Sequence, residues 1–386
     1  MDFQLTTEQQ LIYDYGGAVA KDLDYKYWTD KARKNEFTQE LWDRVAADGF
    51  LGIMVPEEYG GAGLGMMEMA LLMEGLSNHG IPLLMLVVGP TMSMGLIAKH
   101  ASEEMKRAYL PDLCAGKTQF CFAITEPDAG SNSIKIQTFA KARGNRFALK
   151  GTKTFITGAD VADYALVVSR TTPFDQGKRK TDGFTLFAVN LKDKNVEKHL
   201  VEVSIPTPDT QWTLFFDDVD LGPENVIGEV GKGFDILFDS LNPERIVLAA
   251  QCAGIGRFVI DKAVEYTSER VVFDAPIGSY QGLQHPLAEA KTQIEMSSLM
   301  MRNAAWLYDS GKPAGPQSNM AKYAAAEASI KAVDTAIQCH GGNGFTKDYS
   351  IYDYYPMVRL MRTAPVNREL ILNYIAEKVL GMPRSY

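Results

Sequence analysis

Between Phe120 and Phe216 the apolar residues of this chain change period. The runs RFALKGTKTFI, YALVVSR, FTLFAVNL and QWTLFF are short and alternating, and Gly, Asp and Asn separate them. On both sides of that stretch the spacing is helical. Alternation buries one face of a sheet, whereas a period near 3.6 buries a stripe along a helix. The order helical, β, helical therefore limits the fold more than any other feature. It predicts an α+β multidomain chain with an N-terminal helical domain (1–116), a middle β-barrel or sandwich domain (117–229) and a C-terminal four-helix bundle (230–386).

Within the first region, Thr7 followed by Gln10 reads as a capping-box start, and LWDRVAADGFLGIMVPEEYGGAGLG as a helix ending in a Gly/Pro-rich loop. The uncharged stretch GIPLLMLVVGPTMSMGLIA (80–98) is broken by Gly89-Pro90, which predicts two buried half-length helical segments rather than a membrane span. The last region carries four long apolar-striped segments, beginning at ERIVLAAQ, HPLAEAKT, SNMAKYAA and NRELILNY. The first of these places Glu244, in DSLNPERIVLAA, in a helix's opening turn. A carboxylate there is favoured by the helix dipole, so it has a structural explanation as well as a chemical one.

A chain of 386 residues is long enough for two or three layers of core. With 46% hydrophobic and 23% charged residues it has the composition of an ordinary globular protein. A net charge of −9 argues against a nucleic-acid groove or an anionic membrane surface. The basic cluster GKRKTDG (177–183) is flanked by Gly, Asp and Thr and reads as a solvated hairpin loop. Four scattered cysteines without CxxC, and five separated histidines, indicate neither a disulfide framework nor a metal site. This cysteine usage fits a reducing, cytoplasmic compartment. The stretch MDFQLTTEQQ is polar and carries Asp2, unlike a signal peptide.

No dinucleotide fingerprint, P-loop, nucleophile elbow or zinc-protease motif occurs. What remains are turns rich in glycine and hydroxyls: AITEPDAGSN (123–132), GTKTFITGAD (151–160) and HGGNGF (340–345). Such turns expose backbone N–H groups and let a flat or phosphorylated ligand approach, although a tight turn explains each one alone. His340, beside GGNG, reads as a cap or a ligand contact.

Taken together and in order, these motifs resemble the acyl-CoA dehydrogenase family of flavoproteins. FDDVDLGPENVIGEVGKGF, SERVVFDAPIGSYQGLQHPLAE, QCHGGNGF, PEEYGGAGLG and KRAYLPDLCAGK extend the resemblance over essentially the whole chain. It implies FAD as cofactor, with Phe122, Ile124 and Thr125 along the flavin's pyrimidine edge. Phe155 and Thr157 would face its dimethylbenzene and N5 region, and Ser131 would meet the phosphates and substrate. Arg270, Phe273, Gln338 and Gly342 match contacts that a neighbouring subunit makes to the adenosine and pyrophosphate, which implies a homotetramer or at least a dimer. Asp274 departs from the family's usual glycine. An acyl-CoA substrate and an electron-transferring flavoprotein as acceptor are further implications.

The family's reaction takes a proton from the thioester α-carbon and a hydride from the β-carbon, and it needs a carboxylate base. In most members the base follows GGNGF, and counting without gaps from Gly341 and back from the closing VLG places Pro365 there. A minority carry the glutamate in a segment resembling LxxERxVLA, where this chain has Glu244, with Arg245 matching a residue that approaches CoA. Proline also lacks the N–H that the family aims at the thioester oxygen, so Ala364 or Val366 would have to replace it. Asn367 and Glu369 are likewise atypical at positions of cofactor contact. These departures keep two alternatives open: a same-fold flavoenzyme or CoA-thioester lyase with different chemistry, and a catalytically silent FAD/CoA-binding subunit. Ile81–Val88 and SIPTPDTQW (204–212) would line part of the acyl pocket, and the large side chains of 351–361 suggest a compact acyl group.

Overall fold

The computed structural model describes residues 4–385, so Asp2 lies outside the described residues. Helices α1 (Thr7–Val19), α2 (Tyr25–Lys34), α3 (Gln39–Ala47), α4 (Met66–Ser77), α5 (Gly95–His100) and α6 (Glu103–Cys114) form the first region. The capping box at α1 is Thr6 with Gln9, one residue earlier than the spacing suggested, because Thr6 holds the extended backbone a cap needs. The 80–98 stretch is not broken at Gly89-Pro90. A π-helical turn, Val87–Met94, runs through the proline and continues into α5. Proline has no N–H to give, and the wider turn absorbs the defect. Thr91 and Ser93 then donate their hydroxyls five residues back, to the carbonyls of Leu86 and Val88 at 2.8 Å each.

Strands β1 (Phe120–Ala123), β2 (Phe139–Arg143), β3 (Arg146–Thr157), β4 (Tyr164–Arg170), β5 (Phe184–Asn190), β6 (Val196–Val201), β7 (Gln211–Leu221) and β8 (Val226–Ile227) form one sheet. Its order is β6-β7-β3-β2-β4-β5-β8, with β1 paired parallel to β4. One face packs a core of its own around Leu149, Phe187 and Leu214, while Phe122, Leu166 and Leu186 join the helical core. A small ribbon, β9 (Val271–Val272) and β10 (Ala275–Pro276), follows the first long helix of the last region. That region comprises α7 (Gly233–Glu269), α8 (Gln281–Asp309), α9 (Gly315–His340), the short α10 (Tyr354–Met361) and α11 (Arg368–Lys378). α7, α8 and α9 pack on one another, and α4 packs against α7, so the helical regions share one core. Glu74 in α4 is fully buried and holds Arg257 of α7 and Arg302 of α8. Among the described residues, no helix is long and apolar enough to cross a membrane and no group of side chains could hold a metal ion.

Candidate active site

Glu244 does not open a helix. α7 begins at Gly233, roughly three turns earlier, so the dipole explanation for a carboxylate at 244 falls away. The preceding turn keeps helical geometry despite Pro243, because the hydrogen bond proline cannot make is replaced. The carbonyl that Pro243 leaves free belongs to Asp239, and the Tyr308 hydroxyl of α8 donates to it at 3.1 Å. Lys99 of α5 donates to the same hydroxyl, and His100 reaches the Asp239 carboxylate at 2.8 Å. Side chains of α5 and α8 thus hold the turn that leads into Glu244.

The Glu244 side chain is only 7% exposed, and it makes no hydrogen bond or ion pair among the described residues. Burial pushes its pKa up to about 7, against the opposing pull of Arg245 and Lys322. Arg245, also buried, turns back on its own helix and donates to the Leu241 carbonyl at 2.9 Å and to Asn242. Lys322 of α9 was not singled out in the sequence, although a lysine inside the small apolar stripe NMAKYAAA was a signal that it is buried. Its Nζ donates to the carbonyls of Met361 and Val366, which bracket Pro365.

The flavin-edge residues implied by the resemblance come together through a second buried ion pair. Glu126 accepts from Lys153 Nζ at 2.8 Å and from the N–H groups of Gln137 and Thr138, while Lys153 also donates to the Ile124 carbonyl. The Thr154 N–H donates to the Thr125 carbonyl at 2.9 Å. These bonds lay 122–126 along β3. The β3–β7 ladder skips between Lys153 and Ile156, and this bulge throws Phe155 outward at φ 55° and 58% exposed. A bulky residue in the left-handed region is strained by about 1–3 kcal/mol. Thr157 donates its hydroxyl to Gln211 Oε1 at 3.1 Å. Ser131 is exposed and accepts from Asn367 Nδ2 at 2.9 Å, which ties the β domain's turn to the cap of α11.

Arg270, Phe273, Gln338 and Gly342 line one cavity of about 760 Å³ at the end of α7 and α9, and none of the residues around Phe122 or Phe155 lines it. Arg270 lines this cavity and takes part in none of the ion pairs found among the described residues. Phe273 is 89% exposed at φ 54°, and a Cβ added at Gly341 or Gly342 would meet nothing within 4 Å. His340 is buried at the cavity wall, stacked on Tyr266 at 4.4 Å and bonded to the Ala336 carbonyl. A free guanidinium, an exposed aromatic and open backbone make a donor set suited to phosphates and a flat ring.

Three family descriptions match in succession: the acyl-CoA dehydrogenase N-terminal domain over 6–117, the middle domain over 121–219 and the C-terminal domain over 231–380. The chain is 44% identical over 381 residues to acyl-CoA dehydrogenase FadE12 of Mycobacterium tuberculosis, covering 98% of this chain and 97% of that one. The chain belongs to the acyl-CoA dehydrogenase family. Its fold superposes on butyryl-CoA dehydrogenase from Megasphaera elsdenii with a TM-score of 0.93 at 27% identity, covering 98% of this chain and all of that one. The FAD complex of PigA gives 0.91 at 26% identity, over 98% and 99%. Acyl-CoA dehydrogenases are oxidoreductases, and the buried, unpaired Glu244 stands within such a frame.

Proposed function

We propose that this chain is an FAD-dependent acyl-CoA dehydrogenase whose base is Glu244. The observation that supports this most directly is a carboxylate held mid-helix, almost fully buried, with no direct hydrogen bond or ion pair among the described residues. Burial that raises its pKa to about 7 makes it a stronger base than a surface glutamate, and near neutral pH a substantial fraction is ionised. Abstraction of the α-proton by Glu244 leaves the electron pair on the α-carbon. The pair forms the new α,β double bond as hydride departs from the β-carbon. Bound FAD supplies the acceptor for that hydride at flavin N5. Phe122, Ile124, Thr125, Phe155 and Thr157 would hold its ring and Ser131 its phosphates. Arg270, Phe273, Gln338 and Gly342 of a second copy would hold the distal half, with an electron-transferring flavoprotein as acceptor in keeping with the family. Arg245 and Ser131 would contact the CoA thioester.

Pro365 favours a second reading, in which the same frame performs different thioester chemistry. Anaerobic mixing of the holoprotein with a panel of acyl-CoAs separates the two. Bleaching of the oxidised flavin band, lost by at least ~10²-fold in rate in Glu244→Gln, is the expected result. Product without bleaching would establish the second reading, and a Glu244→Gln variant that bleaches as fast as wild type would remove Glu244 from the reaction.

A further inference from the structure

The packing of α7 on α9 sets Glu244 and Lys322 at one level. Near the ends of both helices the Tyr266 ring stacks on His340 at 4.4 Å. Further back, a Cβ added at Gly256 would lie 3.7 Å from that of Ala332, and the Cys252 thiol faces the Ser329 hydroxyl. The same pairing carried about two turns further toward the start of α7 brings Lys322 level with Glu244. Both side chains are buried, at 2% and 7% exposed, yet no hydrogen bond or ion pair joins them among the described residues. The lysine is held elsewhere. Its Nζ donates to the Met361 carbonyl and, at 2.7 Å, to the Val366 carbonyl. Both acceptors are neutral, so the positive charge is fixed in place without being cancelled.

We propose that Lys322 is a positioning residue for the base: its pinned ammonium is a stand-off counter-charge that stabilises the Glu244 carboxylate while leaving both carboxylate oxygens free for the substrate's proton. The inference rests on the reading of Glu244 as the base. A buried carboxylate in a direct ion pair is ionised, but its oxygens are occupied. One with no cation near it stays protonated. A cation at a short remove avoids both outcomes, because Coulomb attraction in a poorly solvated interior declines slowly with distance, whereas a hydrogen bond needs contact. Burial raises the Glu244 pKa to about 7, against the pull of Arg245 and then of Lys322. Arg245 turns back to the Leu241 carbonyl and in the proposed reading also contacts CoA, so Lys322 is the cation tied to backbone alone. The other ionisable groups on the surrounding elements are engaged. His100 of α5 pairs with Asp239, Glu74 of α4 holds Arg257 and Arg302, and Glu327 of α9 accepts from Arg362. Tyr374 of α11 lies toward Arg245, and burial pushes the Cys252 thiol up to about 11. Burial draws the Lys322 pKa down to about 8, with Cys252 and Glu244 opposing, so the ammonium persists at neutral pH.

The test is the pH dependence of anaerobic flavin reduction by an acyl-CoA in the holoprotein. In wild type the rate should rise with a midpoint near pH 7. Lys322→Met removes the charge and should move that midpoint up by about one pH unit, so that reduction at pH 6 slows ~10-fold. Above pH 9 the wild-type lysine is itself neutral, and the two rates should converge. Lys322→Gln, which keeps a donor for the carbonyls but no charge, should shift the midpoint in the same way. A lysine that merely props up the 361–366 segment predicts a slower rate at every pH with the midpoint unmoved, and that result overturns the proposal. Should neither variant fold, the coupling is read from the other side, by NMR of protein carrying lysine labelled with carbon-13 at Cε. In Glu244→Gln the Lys322 ammonium should lose its proton at lower pH than in wild type, and an unchanged titration overturns the proposal. The lysine signal does not depend on turnover. A Glu244→Gln variant that bleaches its flavin as fast as wild type therefore fails the base reading by itself, while the signal still decides whether the counter-charge is there.

Discussion

At the scale of residues, the site is built from groups made costly by burial. Glu244 is the clearest, and it ties activity to stability. Its pKa is raised from 4.5 to about 7 in the folded chain, so between those values the native state binds more protons than the unfolded one. Stability is thus highest below about pH 4.5, as far as this group is concerned, and declines as pH rises through about 7. Glu244→Gln removes the ionisation and with it that decline, on the order of 3 kcal/mol as an upper bound. Unfolding of wild type and variant followed at pH 5 and pH 8 should show the variant gaining relative stability at the higher pH. A constant difference would mean that Glu244 is not held in a desolvated site. Activity should run the opposite way, with kcat rising through about pH 7 as the base ionises. LNPERIVLA nominates Glu244 through its resemblance to the family segment LxxERxVLA, and the structure adds its burial. Its isolation was not legible in the sequence, because the absence of a partner is a property of α8, α9 and the 361–366 segment, all distant in sequence. The contacts of Lys322 with Met361 and Val366 were hidden for the same reason, although its place in NMAKYAAA signals burial.

At the scale of elements, most strands and the long helices could be read from period alone, since a buried stripe or face determines it. The misreadings fall at two prolines. GFDILFDSLNP contains Gly, Asp, Asn and Pro, and intrinsic preference sets a boundary there, yet α7 runs through it. Tertiary contact decides this, because the carbonyl that Pro243 strands is taken by Tyr308. The compensation can be measured as a coupling. Tyr308→Phe leaves the Asp239 carbonyl without its donor and should destabilise by about 1 kcal/mol. Pro243→Ala restores the backbone N–H, so the same Tyr308→Phe change should then cost less. A double-mutant cycle in urea is expected to show about 0.5–1 kcal/mol of interaction. Strict additivity would show that Tyr308 does not replace the missing bond. Pro90 follows the same logic by a different route, with hydroxyls of the π-helical turn returning to carbonyls five residues back.

At the scale of the whole molecule, the residues proposed to hold FAD form two groups that share no cavity. One lies along β1 and β3 with Phe155 turned outward, and the other surrounds Arg270 and Gly342 with Phe273 turned outward. Two strained, exposed aromatics on one chain are hard to account for unless something covers them. If each FAD lies between the first group of one copy and the second group of another, cofactor retention and association are a single equilibrium. Occupancy must then depend on protein concentration through mass action. Dilution of the holoprotein, followed by the recovery of free flavin fluorescence, should therefore release FAD progressively. Excess FAD should suppress dissociation into smaller species by the same linkage. Arg270→Ala should move the release to higher protein concentration, roughly tenfold or more, by removing a charge-assisted contact to phosphate worth about 1.5–3 kcal/mol. Mixing protein lacking a functional first group, through Phe155→Asp, with Arg270→Ala protein supplies the decisive comparison. In a mixed assembly one interface joins two intact groups, so part of the flavin binding should return. Absence of any recovery, together with release that ignores dilution, would place the whole cofactor site within one chain.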